Sequence, residues 1–485
     1  MKNHISTDEQ DAANWRGSDT AAITALAWVV LSFAIAFSLI SISTGILANF
    51  SSWLCAGRAG DRLVVAGGDG SQTLVVLVMS RLAVSFPDCR VWVPMERTLV
   101  NPHFGFFTGW LLLVQFLTGF PVVCSALASA LCAFIWPEGA LPMTVAWITT
   151  VVILLVALIH LFGMRLAAWL NNTGVYAELF GVIAITIALF ALLDWRGEPV
   201  ETGRSRQLSS GQSAGFSAFA LSLLMGAWCL TGFEAAADLA EETHDPRRTV
   251  PRAMLTSLLG SGLLGFLLLV GIVLSIDDVR ATQGQDSPLI SVLQQRFGPH
   301  WLLAALVVVA VSIFACAIAS MAAASRLLFS LSRDGMLPGA RWLSRIDPHR
   351  STPRNAVILV WLLSTAIVLL LRQTDLISSV SAVAGYLGYA GIILAALLAG
   401  PLVVPGRGWT LLRWLALMWA LSLVLALTVP PTDIPGWNDK YLPAKATAFA
   451  LMAGSAVYFG LIKRRIREGL AGPPQLSDKG SETRP

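Results

Sequence analysis

The sequence predicts an all-α polytopic membrane protein of about twelve transmembrane helices. Three observations carry that prediction. Hydrophobic residues make up 55% of the 485 and charged residues only 13%, about half the charged share of a soluble domain; the mean hydropathy is +0.70. Apolar runs recur along the chain at lengths near the roughly 20 residues a helix needs to cross about 30 Å of hydrocarbon. Two runs, the first and the sixth, are interrupted near their middles and stand five apart.

Residues 1–20 are polar and mixed in charge, which reads as a tail and not as a cleavable signal peptide. Span 1 is expected from about Ala21 to Phe50. Its second half, F-S-L-I-S-I-S-T-G-I, crowds Ser38, Ser41, Ser43, Thr44 and Gly45 into lipid depth. Small polar residues there either pack helices together or mark an unwound stretch. Arg58 to Gly70 is polar and Gly-rich, and a clean apolar run for span 2 resumes only at Gln72 to Phe86, with Arg81 inside it. Spans 3, 4 and 5 follow at about Phe104 to Trp136, Leu141 to Gly163 and Val175 to Trp195. The link Met164 to Gly174 carries Arg165, Asn171 and Asn172.

A polar loop, about Arg196 to Ser213, precedes span 6. This span reads W-C-L-T-G-F-E-A-A-A-D from Trp228 and places Glu234 just after Thr231 and Gly232. A carboxylate at membrane depth costs about 3 kcal/mol on insertion scales and usually faces protein or a water-filled cavity. If the chain after Gly232 is helical, Glu234, Asp238, Glu241, Glu242 and Asp245 fall near one face. The helix should stop at Asp245-Pro246, with Arg247, Arg248 and Arg252 following. Span 7 is expected at Met254 to Ile276. P-L-I-S-V-L-Q-Q-R-F-G, from Pro288, then reads as a short helix outside the bilayer. Spans 8 to 12 fall at about Trp301 to Leu331, Asn355 to Leu371, Leu376 to Val404, Trp409 to Val429 and Leu442 to Ile462.

The heaviest Arg/Lys clusters follow spans 6, 8 and 12, so both termini are expected in the cytoplasm. Discontinuous helices at matching positions of two halves mark secondary transporters built from inverted repeats. The division is then a tail (1–20), a first five-helix repeat (21–195), an external loop (196–213), a second five-helix repeat (214–404), helices 11 and 12 (405–463) and a tail (464–485). The net charge of +4 lies in loops, which suits topology control and not nucleic-acid binding. The cysteines 55, 89, 124, 132, 229 and 316 form no C-x-x-C pair and read as packing residues. No Walker loop, catalytic set or metal box is readable, so no cofactor is expected. Energy would come from an ion or counter-substrate gradient.

The ordered markers resemble the amino acid–polyamine–organocation superfamily, most of all its amino acid/choline transporter branch. They are the span 1 motif above, L-V-N-P-H-F-G-F-F-T-G-W at Leu99 to Trp110, and N-N-T-G-V-Y-A-E-L-F-G into span 5. Two more are G-F-E-x6-E-E-T-x-D-P-x-R-x-x-P-R-A from Gly232 to Ala253 and S-R-x6-R-D-G-M-L-P from Ser325 to Pro338. The resemblance implies a leucine-transporter-like fold in the cell membrane and transport of amino acids or small amines. It implies that the span 1 break, at Ser41, Ser43, Thr44 and Gly45, offers amides to a substrate carboxylate. It implies that the span 6 break, at Trp228, Cys229 and Thr231, offers carbonyls to a substrate ammonium, with the Trp228 ring as a gate. Gly232 would permit the unwound backbone, and Glu234 would sit where coupling or gating carboxylates are found.

Other candidates carry two readings each. Glu178 could hold a coupling proton; the preferred reading is an interfacial residue bonded to Asn171 or Asn172. Glu241 and Glu242 could pair with Arg326 or Arg333 as a cytoplasmic gate, or form a solvated rim. His160 reads as a packed residue. Tyr386 and Tyr389 line the pathway or pack.

Two segments depart from the resemblance. Relatives have an apolar, Trp-containing start to span 2 where this chain has residues 58–70, and P-x-A-G-x-x-Y-Q-W where it has Pro87 and residues 88–95. Read one base later through GC-rich codons, both segments give the relatives' pattern. A transport-defective chain, acting as a nutrient sensor or surviving as a degenerate copy, is therefore the alternative reading. Resequencing the gene is expected to show compensating frame changes bracketing each segment; an intact frame with other codons would remove the idea.

Overall fold

The computed structural model describes residues 32–56, 64–85, 100–136, 141–193, 226, 228–238, 245–283, 285, 288–347, 350, 352–399, 407–428 and 441–471. Among these the only β pairing is an isolated bridge, Asp347 to Thr352. Among the described residues, ten helices are long and apolar enough to cross a membrane. They are Ser32–Phe50, Pro102–Ile135, Pro142–Phe162, Met164–Ala191, Pro246–Leu274, Trp301–Arg333, Arg354–Leu371, Thr374–Leu398, Gly408–Thr428 and Leu442–Arg467. They take the places of spans 1, 3, 4, 5, 7, 8, 9, 10, 11 and 12. Span 2 is the helix Val64–Ser85, apolar from Gln72 to Val84. Span 6 is interrupted between Trp228 and Ala235. Residues 58–63 and 88–95 lie outside the described residues.

Helix ends differ from the sequence reading at two places. Met164 to Gly174 is not a link: Gly163, at φ 145°, ends span 4, and span 5 starts on the next residue. Asn171 and Asn172 therefore ride on span 5 itself. Span 7 begins at Pro246, the helical position where a missing N–H does no harm, so Arg247, Arg248 and Arg252 belong to its first two turns. A helix does start at Pro288. It kinks at Gly298 (φ 67°, ψ 175°) into span 8, and Arg296 ties it to the Ser275 carbonyl and to Asp277.

The packing pattern carries the two-half architecture. Adding five to each span number turns most packed pairs into other packed pairs. Span 3 packs on span 10, and span 8 on span 5. Span 3 packs on 4, and 8 on 9. Span 2 packs on 10, and 7 on 5. Span 3 packs on 9, and 8 on 4. The pairs 2 with 7, 3 with 8 and 4 with 9 map onto themselves. An odd number of crossings per half makes the second half enter from the opposite side of the bilayer, which is the inverted repeat. Spans 11 and 12 pack outside this frame on spans 2, 3 and 10.

Spans 3 and 10 are mostly enclosed, whereas span 4 bares Trp147, Val151, Leu155 and Phe162 and span 5 bares Trp169, Phe180 and Ile187. Apolar faces of this size suit lipid and not water. Span 5 meets span 8 through Gly174 and Gly181. A Cβ on Gly174 would run into Ala315 and one on Gly181 into Val308, so the backbones approach as closely as small residues allow. Gly181→Val is expected to destabilise the protein by about 1–3 kcal/mol through overpacking, read as a lower unfolding temperature in detergent. Unchanged unfolding would mean the two spans do not abut there.

Candidate functional site

Span 1 stops and restarts at Ser41. The Ser41 carbonyl accepts from Gly45 N (3.0 Å), its Oγ accepts from Thr44 N (3.4 Å), and helix resumes at Ile42. This is helix N-cap geometry, placed inside a transmembrane helix. The restart leaves amides without intrahelical partners, and Glu178 of span 5 meets one of them. Its Oε1 accepts from Ser43 N at 3.1 Å and from Ser41 Oγ at 2.8 Å. With the Ser41 proton directed there, Thr44 Oγ1 is left to donate to Ser41 Oγ (2.7 Å). The Glu178 side chain is thus not bonded to Asn171 or Asn172 as the sequence suggested. Asn171 Oδ1 instead accepts from Ser38 Oγ (2.7 Å). A helical neighbour seven residues away is nearer in sequence, but the opposite span presents the unsatisfied donors.

Span 6 loses helical form over Leu230 to Glu234 and closes a last short turn at Ala235–Asp238. Gly232, at φ 107°, supplies a backbone angle that side-chain-bearing residues rarely adopt. The two breaks lie back to back. A Cβ on Gly45 would occupy the position of Cys229 Sγ, and one on Gly232 would come within 2.7 Å of Leu39 Cβ. The Trp228 carbonyl accepts from Thr231 Oγ1 (2.8 Å), which leaves its second lone pair.

Glu234 is fully buried and fully solvated by protein. Oε1 accepts from Tyr389 OH (2.8 Å) and Gln115 Nε2 (3.3 Å), and Oε2 from Gly232 N (3.0 Å). Tyr386 OH donates to Gln72 Oε1 (3.0 Å), and its ring meets that of Tyr389 edge-on. Gln72 and Gln115 were not singled out from sequence. A lone glutamine within an apolar run was the available signal. Both tyrosines are fully buried and bonded, as the packing reading has it.

A hollow of about 40 Å³ lies between the breaks, lined by Ser41 and Thr44 of span 1, Gln115 of span 3, Trp228 and Thr231 of span 6, and Cys316 of span 8. That is room for water but not for an amino acid. His160, buried with Nδ1 on its own helix at the Val156 carbonyl (2.9 Å), lines a separate cavity with Asn171, Asn172 and Arg326. Arg333 pairs with the adjacent Asp334 (3.4 Å). Glu241 and Glu242 lie outside the described residues, and so does any pairing with Arg326 or Arg333. Among the described residues, Cys124, Cys132, Cys229 and Cys316 form no disulfide.

The amino acid permease family model matches residues 21–444, from before the first break to the start of span 12. The chain belongs to this family. The permease is similar to the amino-acid permease BAT1 of Arabidopsis thaliana, 25% identical over 442 residues, covering 83% of this chain and 85% of that one. It is also similar to a putative polyamine transporter of Candida albicans, 25% identical over 419 residues, covering 80% and 74%. A third relative is the low-affinity putrescine importer PlaP of Escherichia coli K12, 25% identical over 308 residues, covering 62% and 64%. The chain is a multi-pass membrane transporter of the permease class.

Removing the Glu234 carboxylate should orphan the Gly232 N–H and Tyr389 O–H and leave Gln115 Nε2 only its 3.4 Å bond to Tyr389 OH. Glu234→Ala is expected to lower stability by roughly 1–3 kcal/mol for each donor left unpaired, and Glu234→Gln by less, because an amide oxygen still receives Tyr389. Detergent-phase thermal unfolding checks this. Equal unfolding temperatures for Ala and Gln would mean that the three bonds do not form together.

Proposed function

We propose that this permease is a secondary active transporter moving amino acids or related small amines (GABA-, choline- or polyamine-like) across the cell membrane by alternating access. It is proton-coupled or exchanges one substrate for another, and both termini are cytoplasmic. The observation that carries the proposal is the pair of helix breaks packed against each other, with a small hollow between them that Ser41, Thr44, Gln115 and Thr231 help to line. Backbone amides and carbonyls at membrane depth are tolerated only where they are buried in protein or face a water-filled cavity. In this reading Ser41, Ser43, Thr44, Gly45, Trp228, Cys229, Thr231 and Gly232 surround the substrate. Glu178 and Glu234 respond to it, and Glu241, Glu242, Arg326 and Arg333 form the cytoplasmic closure. Residues 21–195 and 214–404 are the two repeats that rock against each other.

The second reading, a chain that folds without transporting, is supported by span 2. Its apolar part starts only at Gln72, and Asp69 lies in its first half. Purified protein in liposomes, scanned with radiolabelled amino acids and amines with and without a pH gradient, separates the two. Uptake of at least one compound is expected, and Gly45→Leu should abolish it, because the new side chain must displace Cys229. Silence across the whole panel would favour the second reading.

A further inference from the structure

Resting on the transporter reading above, we infer that the substrate is an organic cation without a carboxylate, a primary amine or diamine, and that Glu178 sets this choice. The amides exposed where a helix restarts attract anions. In span 1 two of those amides already have partners: Ser43 N–H donates to Glu178, and Thr44 N–H to Ser41 Oγ. Ser41 Oγ–H, the side-chain donor at the same place, also points at Glu178. The protein has supplied its own carboxylate to the position a substrate carboxylate would need.

The charge around the hollow argues the same way. Glu178 stands directly behind Ser41, and Glu234 directly behind Gln115 and Gly232, and all three of these residues line the hollow. Among the described residues, no Lys, Arg or His lines it. A zwitterion would bring a third carboxylate next to two buried ones and find no countercharge. An ammonium would be drawn by both. Trp228, Phe116 and Phe120 also line the hollow. Their rings suit an alkyl chain, and their faces attract a cation. The relatives divide between an amino-acid permease and polyamine carriers, so kinship leaves the choice open, and the geometry around Glu178 makes it.

Matched pairs that differ only by a carboxylate test this. Full-length protein in liposomes is assayed with 1,4-diaminobutane against ornithine, and with 3-methylbutylamine against leucine. Each amine is expected to exceed its amino acid by at least tenfold in kcat/KM. An amino acid carried as well as its amine overturns the inference and leaves the transporter reading standing. No uptake of any of the four, nor of the wider panel above, overturns the transporter reading and the inference with it. Glu178→Ala empties the position, and the ornithine-to-diaminobutane ratio should rise at least tenfold. Glu178→Gln keeps an acceptor for Ser41 and Ser43 without the charge, so the diaminobutane-to-ornithine ratio should fall at least tenfold. If Glu178 were only a helix cap, both variants would scale the two rates together, and an unchanged ratio refutes its role.

Discussion

A carboxylate buried at membrane depth persists only where other groups replace its water, and Glu178 finds those groups on a helix that stops and restarts at Ser41. Each side of the contact solves the other's problem. The restarted helix has amides that hydrocarbon cannot satisfy, and the glutamate has an oxygen that needs donors. Ser41 serves both, capping Thr44 N–H with its oxygen and offering its proton to Glu178. The break in span 1 is therefore held in place by span 5, and it would be unstable as an isolated feature of one helix.

The second break obeys the same constraint by a different route. Gly232 adopts a left-handed angle, and the freed Gly232 N–H turns onto the carboxylate two residues later in its own chain. Span 6 thus partly solvates its own glutamate, and Tyr389 and Gln115 complete the shell. The two glycines also let the breaks touch. Gly45 leaves the space that Cys229 fills, and Gly232 lies on the Leu39–Ile40 backbone. Any larger residue at either position would separate the spans whose polar groups define the hollow.

The spans and their two interruptions were legible because hydrocarbon thickness fixes run length and polar residues inside a run are expensive. Helix ends were less legible. Arg165 and the Asn171-Asn172 pair look like a loop, yet one glycine at φ 145° is all the chain uses to separate spans 4 and 5. Arg247 and Arg248 look like a cytoplasmic link, yet they form the first turn of span 7. Partnerships were the least legible. Glu178 and Ser41 are 137 positions apart, and Glu234 and Tyr389 155 apart; only the fold brings them together. Gln115 gave a weak signal because a single glutamine in an apolar run can equally turn to a neighbouring carbonyl.

The two carboxylates also follow the repeat. Under the exchange that adds five to each span number, the bond from span 1 to span 5 corresponds to one from span 6 to span 10. Both are present, with the roles reversed. In the first half the hydroxyl is on the broken span and the carboxylate on the fifth, Ser41 to Glu178. In the second half the carboxylate is on the broken span and the hydroxyl on the tenth, Glu234 and Tyr389. Each broken helix is thus tied to the last span of its own half. Span 5 packs on spans 7 and 8, and span 10 on spans 2 and 3, so each of these last spans touches both halves. In the proposed transport cycle, a displacement of either half would pass through a contact that ends on a buried carboxylate. A cation arriving between the breaks would then change the field at both carboxylates at once, which would give the substrate a lever on the two halves together.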